Sequence, residues 1–272
     1  MWMTEDNIVE VPFDKEHLLE IILSPSNLNK AYKAVVSNNG SGGIDKMSCE
    51  QLLPWLKANK DELIISLQSG TYRPNPVRRV EIPKDNGKTR PLGIPTIMDR
   101  LIQQCFLQIL EPICEAKFFE RSNGFRPNRS AENAIAQVYK MIQTQHLYYV
   151  VDVDIKSFFD NVGHGKLLKQ MWTMGIQDKQ LLKIISLMLK AEVAGIGFPE
   201  KGTPQGGIIS PLLSNIVLNE LDWWVASQWE TLPTKKIYAG KKLKTGTVDR
   251  SSTYVALRKS NLKECYIVRY AD

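Results

Sequence analysis

The stretch that decides the fold is VDVDIKSFFD, residues 151–160. Leu147, Tyr148, Tyr149 and Val150 precede it, so the run reads as a buried β-strand that ends on carboxylates. Asp152 and Asp154 alternate with Val153, which turns both side chains to one face of a strand. Ionised carboxylates are costly to bury without a partner. A hard cation such as Mg²⁺ is a natural one, since it takes oxygens from one or two carboxylates and leaves places for phosphate. The ordinary reading is a strand end opening into solvent, and for this stretch alone it is the better one. A second stretch, CYIVRYAD at 265–272, repeats the design of an apolar run tipped by a carboxylate. If the two strands lie side by side, Asp154 and Asp272 meet at their ends. Two divalent ions about 3.5–4 Å apart then fit between them.

The rest of the chain supports a globular α+β protein. Of its 272 residues 43% are apolar and 24% charged, with a formal net charge of +6. That composition excludes a disordered chain, and the modest basic excess suits a polyanionic partner. Cys49, Cys105, Cys114 and Cys265 form no C-x-x-C pair and read as buried apolar groups or free thiols. His17, His146 and His164 are isolated. Neither a signal peptide nor a membrane-spanning apolar run is visible, so a soluble, cytoplasmic protein is expected.

Helix signals dominate the first third. DKEHLLEIIL and NLNKAYKAVVSNNG space their apolar residues three and four apart, and Asn38, Asn39 and Gly40 suit a helix stop. Ser48 with Gln51 forms a capping box ahead of a long helix, with Pro54 near its start. VRRVEIPK and TRPLGIP read as a hairpin around DNGK. Further helices are expected after Thr96, after Ser130, in GKLLKQMWTMG and DKQLLKIISLMLKA, and after Ser210 with Pro211. Residues 231–260 read as loop, and a terminal strand closes the chain.

Several stretches resemble blocks of reverse transcriptases of the group II intron-encoded (maturase) kind. RYAD is similar to most of their tyrosine–x–aspartate–aspartate box, DIKSFFD to their first aspartate motif, and GTPQGGIISPLLSNIVLNELD to their proline–glutamine–glycine motif. AYKAVVSNNGSGGIDKMSCEQL, IPKDNGKTRPLGIPTIMDRLIQQ and SNGFRPNRSAENAI resemble further blocks, in order along nearly the whole chain. The chain departs from the pattern at its last position, one aspartate short of the family's pair.

The resemblance implies the fingers and palm of a right-hand polymerase. Residues 1–95, joined by helices of about 163–200, would be fingers, and 96–272 would be palm, cut inside the active-site turn with the thumb absent. A small antiparallel palm sheet backed by helices would carry the carboxylates. The implied function is that of an RNA-directed DNA polymerase serving group II intron mobility, which also binds intron RNA and assists splicing. A retron or diversity-generating reverse transcriptase is the alternative, as is a mainly RNA-binding splicing cofactor. This piece alone is expected to extend primers poorly or not at all.

Site residues follow residue by residue. Asp154, Asp272 and the backbone oxygen of Ile155 would hold two Mg²⁺ ions. Asp160 is expected to cap the following turn. Lys84 and Arg90 flank the hairpin tip and would converge on a nucleoside triphosphate. Ser157, Phe158, Phe159, Gln205 and Gly206 would complete the nucleotide site, with one of the two rings rejecting a 2′-hydroxyl by steric clash and the other packing in the core. Arg73, Arg78, Arg79, Arg126 and Arg129 would line a template track. Lys235, Lys236, Lys241, Lys242 and Lys244 mark a basic loop for intron RNA, or equally a solvated insertion. SNNGSGGID at 37–45 would be a lid over the template. The implied partners are intron RNA, an RNA template with a DNA primer, and deoxynucleoside triphosphates; a homodimer stays open.

Overall fold

The computed structural model describes residues 14–83, 87, 89–236, 238, 240–243 and 248–271. By its contacts the chain divides into two compact units, one built from 14–115 and 154–217, the other from 116–153 and 218–271.

The first unit is mainly helical. The opening periodicity gives the short α1 (Leu18–Ile22). Pro25 opens α2 (Pro25–Asn38), where its missing N–H does no harm, and Asn39 ends it in the left-handed region at φ 45°. In α3 (Cys49–Ser69) the Gln51 side chain accepts from the Ser48 N–H at 2.8 Å, as the capping box requires. The hairpin forms with β1 (Arg78–Pro83) antiparallel to β2 (Thr89–Ile94), pairing Arg78 with Ile94 and Pro83 with Thr89. Apart from Gly87, its DNGK turn lies outside the described residues, and Lys84 with it.

Next comes α4 (Ile97–Glu115), the most buried helix of this unit. It packs against α1 and α2. The Asn27 side chain cross-links the layer, donating to the carbonyls of Ile22 at 2.8 Å and Cys105 at 3.0 Å, while its own oxygen accepts from Gln108 at 2.7 Å. At the start of α4 the Thr96 hydroxyl oxygen accepts from the Asp99 N–H at 3.2 Å, the cap predicted for it. The Asp99 carboxylate accepts in turn from Thr96 Oγ1 at 2.6 Å, from Asn75 N and Nδ2 at 3.2 Å each, and from the Tyr72 hydroxyl. Burial pushes the Asp99 carboxyl above its ordinary range against the pull of these donors. Burial first, then the neighbouring carboxylate, raises the Tyr72 hydroxyl well above 10.

Helix α5 (Ala131–Gln145) belongs to the second unit, and Ser130 caps it by accepting from Asn133 N. Back in the first unit, α6 (Phe158–Asn161) is a single turn, followed by α7 (His164–Thr173) and α8 (Lys179–Leu189). The buried Asp178 carboxylate accepts from Leu181 N at 3.0 Å and Leu19 N at 2.9 Å, so one acid caps α8 and ties down the start of α1. Helix α9 (Ser210–Ser227) gives residues 210–217 to the first unit and the remainder to the second. Ser210 is its first residue rather than its cap. Its hydroxyl donates back to the Pro204 carbonyl at 2.9 Å and braces the preceding loop.

Three expectations are corrected. Residues 147–155 form no strand, and Tyr148, Tyr149, Val150, Val151 and Val153 are exposed. Their alternation is strand-like, but no described residue offers a ladder. The terminal run likewise makes one isolated parallel bridge, Ser122 to Arg269, instead of a strand. Residues 231–260, read as loop, contain β3 (Lys241–Lys242) paired antiparallel with β4 (Val248–Asp249), then α10 (Ser251–Arg258) with Leu257 buried. The described sheets are therefore two two-stranded antiparallel pairs. Cys49, Cys105 and Cys114 are buried and Cys265 is half-buried. Burial pushes the Cys105 thiol up to about 12. Among the described residues no helix is long and apolar enough to cross a membrane.

Candidate functional site

Within the first unit the aspartate motif and the glycine-rich loop fold onto one another. Asp154 is exposed, and Ser157 takes a left-handed φ of 51° to turn the chain into α6. Phe158 is 7% exposed and packs inward, whereas Phe159 is half-buried; their ring centroids stand 5.9 Å apart, edge to face. The Thr203 N–H donates to the Phe159 carbonyl and the Gly202 N–H to the Val162 carbonyl, each at 2.7 Å. A Cβ on Gly202, whose φ is +94°, would sit 3.0 Å from the carbonyl oxygens of Phe159 and Asp160. The loop therefore lies flat against α6 only because that position is glycine. Asp160 lies inside α6, and Gly163 rather than Asp160 stands at the N-cap of the helix that follows, α7; Asp160 Oδ1 is 3.5 Å from Gln205 Nε2. The buried His164 holds the loop from the other side, its Nε2 2.7 Å from the Gly202 carbonyl.

The hairpin closes the third side. Gly93 N donates to the Gln205 carbonyl at 2.6 Å, and a Cβ on Gly206 would come within 2.5 Å of the Gly93 oxygen. Val77 extends the contact, accepting from Ala194 N at 3.0 Å and donating to the Glu192 carbonyl at 2.7 Å. Between hairpin and loop lies a cavity of about 190 Å³, lined by Arg79, Leu92, Gly93, Asp160, Lys201 and Gln205 among others. Arg79 is paired with Glu81 at 2.6 Å on the exposed strand face. Arg90 lies exposed on β2 opposite Ile82.

The other arginines do varied work. Arg73 donates to the carbonyls of Gly70 and Tyr72 at 3.1 and 2.8 Å, closing the end of α3. Arg78 reaches Ser41 of the expected lid at 3.3 Å, and Arg100 donates to the Ser41 carbonyl. Arg126 is buried, donates to the carbonyls of Phe119 and Ser122 at 2.8 Å each and lies over the Phe118 ring. It organises its own loop from within, which removes it from a surface track. Arg129 is half-buried and donates to the Glu120 carbonyl. Lys235, Lys236 and Lys242 are exposed, Lys236 lying 5.7 Å from the Tyr238 ring centroid; Lys244 and Asp272 fall outside the described residues. The side chain of Lys241, on β3, is likewise not described.

In the second unit the segment ending at Ala271 is gripped by residues that sequence reasoning missed. Arg269 N donates to the Arg121 carbonyl at 3.0 Å, and Asn123 N donates to the Arg269 carbonyl at 2.8 Å. The Arg269 guanidinium is buried against Asp222 of α9, with Nε 3.0 and 3.1 Å from its two oxygens and Nη2 2.8 Å from one. Nη2 also reaches Ser122 Oγ at 2.6 Å, and Nη1 donates to the Ala271 carbonyl. Arg121 Nε holds the Ile267 carbonyl at 3.1 Å, while its guanidinium pairs with Glu230 and lies over the Phe119 and Tyr266 rings. Burial pushes the Glu230 carboxyl up, opposed by Arg121. The signal was an arginine inside an apolar run and an aspartate on an apolar helix, two charges that can be buried only together.

Comparison with known proteins agrees with this architecture. Residues 82–272 match the model of the reverse transcriptase (RNA-dependent DNA polymerase) family, and the chain belongs to that family. Among its relatives are the group II intron-encoded protein LtrA of Lactococcus lactis, 39% identical over 232 residues, and protein YkfC of Escherichia coli, 38% identical over 223 residues. The matches take in 82% and 79% of this chain but 37% and 58% of those proteins, so the chain spans less than two thirds of either. A solved partial Cas6-RT-Cas1–Cas2 complex shares the fold with a TM-score of 0.51 at 22% identity, over 78% of this chain and 35% of that one.

Proposed function

We propose that the chain is the fingers and palm portion of a group II intron-type RNA-directed DNA polymerase, with fingers at 1–95, joined by the helices of about 163–200, and palm at 96–272. The observation that carries this reading is the convergence of α6, the glycine-rich loop and the hairpin on one cavity, because those three stretches resemble the family's nucleotide-binding blocks. In this reading a primer 3′-oxygen bonds to the α-phosphorus of a deoxynucleoside triphosphate and pyrophosphate departs. Asp154 and Asp272 are the metal-ligating carboxylates, with the Ile155 carbonyl beside the first. Among the described residues no cluster of three metal-ligating side chains exists. An exposed carboxylate with a backbone oxygen still fits Mg²⁺, which keeps water and phosphate oxygens in most of its positions. When bound, such ions supply charge stabilisation at the reacting phosphate.

The chain's own side chains bind and orient. Gln205 and Gly206, pressed against Gly93, present a backbone surface to a nucleotide; Arg90 and Lys84 meet the triphosphate. Arg78, Arg79 and Arg129 face the template, and the lysines of 235–244 add affinity for intron RNA, through which the protein assists splicing. Since Phe158 is the core ring, Phe159 is the ring that meets the sugar. RNA-templated primer extension with Mg²⁺ and deoxynucleotides, in the protein's full natural length, tests the reading. Phe159→Ala should raise ribonucleotide incorporation about tenfold or more relative to deoxynucleotide, the scale of a lost steric clash of 1–3 kcal/mol. An unchanged ratio returns the gate to another residue. RNA affinity that does not fall with added salt would count against the basic contacts.

A further inference from the structure

We propose that Arg269 is a positioning residue for the catalytic turn, acting through a clamp made of Asp222, Ser122 and Gly124. The proposal rests on the polymerase reading and extends it. Arg269 lies three residues before Asp272, and its guanidinium joins three backbone segments: α9 through Asp222, the 121–124 loop through Ser122, and the terminal segment through the Ala271 carbonyl. That carbonyl belongs to the peptide unit that delivers Asp272, so fixing it fixes where the next residue starts. Its own backbone is held from both sides by Arg121 and Asn123.

Two further observations show that the hold is close and strained. A Cβ on Gly124 would lie 2.0 Å from Ala271 N and 2.6 Å from its Cα, so the loop approaches within a distance only glycine permits. Ala271 sits at φ +68°, a conformation a non-glycine residue takes only where its surroundings impose it. Asp222, fully buried, has no role on a polymerase surface; its charge is there to be answered by Arg269. A bidentate Arg–carboxylate pair fixes orientation as well as distance, which lysine cannot copy. The clamp therefore sets the geometry of a metal ligand without touching metal or substrate.

The test uses the full-length protein with Arg269→Lys, Asp222→Asn, Gly124→Ala and the milder Ser122→Ala. Template–primer affinity, the deoxynucleotide KM, the maximal extension rate and the Mg²⁺ concentration for half-maximal rate are each measured, with thermal midpoints. Loss of support for a metal ligand weakens metal affinity or activity about 10–100-fold. Arg269→Lys and Asp222→Asn should therefore raise the Mg²⁺ requirement and lower the maximal rate on that scale while template–primer affinity stays within about twofold. Ser122→Ala should move both quantities less and in the same direction. An unchanged Mg²⁺ requirement in all four variants overturns the proposal, including the case where rates fall only in proportion to folded protein. Absence of extension by the unaltered protein overturns the polymerase reading itself, and the two failures are thereby separate.

Discussion

Residues 148–153 and 266–271 are made of similar material and reach opposite states. Both are apolar runs leading to a carboxylate. The first is exposed along its length and forms no strand or bridge among the described residues. The second is half-buried, bridged to Ser122 and anchored by two arginines. An alternating apolar run specifies a surface that wants covering, and only a neighbour turns it into a strand. Polar anchors, by contrast, name their partners: Arg269 can bury its charge against Asp222 and few other groups.

The largest effect that separates the two runs is chemical. Asp154→Asn should lower primer extension about a thousandfold, on the view that a metal site supplies several kcal/mol to the transition state, with RNA binding retained. Extension near the unaltered rate would show that the exposed carboxylate is only a solvated one. The next effect is on stability. Arg269→Ala leaves Asp222 charged, buried and unanswered, and should destabilise its unit by about 3–5 kcal/mol in denaturant unfolding. A loss below 1 kcal/mol would mean that water reaches Asp222 readily. The smallest effect is expected in the exposed run, where Tyr149→Ser with Val151→Thr should change stability by no more than about 0.5 kcal/mol. A cost clearly larger would show that this run finds a strand partner in solution.

The same contrast explains what was legible in the sequence. Caps and stops were, because their chemistry is local: Ser48 with Gln51, Thr96 before α4, Ser130 before α5 and Asn39 after α2 each satisfy backbone groups a few residues away. The hairpin was legible from its turn signal, and its register followed. The helix α10 was not, since its lone buried apolar residue, Leu257, leaves no repeating face to see. In the candidate site the motifs named stretches that converge on one cavity, but not how they are held. Gly202, Gly206 and Gly124 matter through backbone that lies far off in sequence, and Arg126 turned inward for carbonyls that no pattern announces.

The acid beneath the start of α4 makes folding of the first unit a proton-coupled event. Folding raises the Asp99 pKa above its ordinary 3.8, chiefly by desolvation, so only between the unfolded and native values does the native chain hold a proton there that the unfolded chain has given up. Its contribution to stability is complete below 3.8 and declines as pH climbs through the native value. Asp99→Asn is neutral at every pH and should flatten that decline. In thermal melts across mildly acidic to neutral pH, the variant should gain on the unaltered protein as pH rises, and parallel curves would show that the four donors around Asp99 outweigh the water it lost.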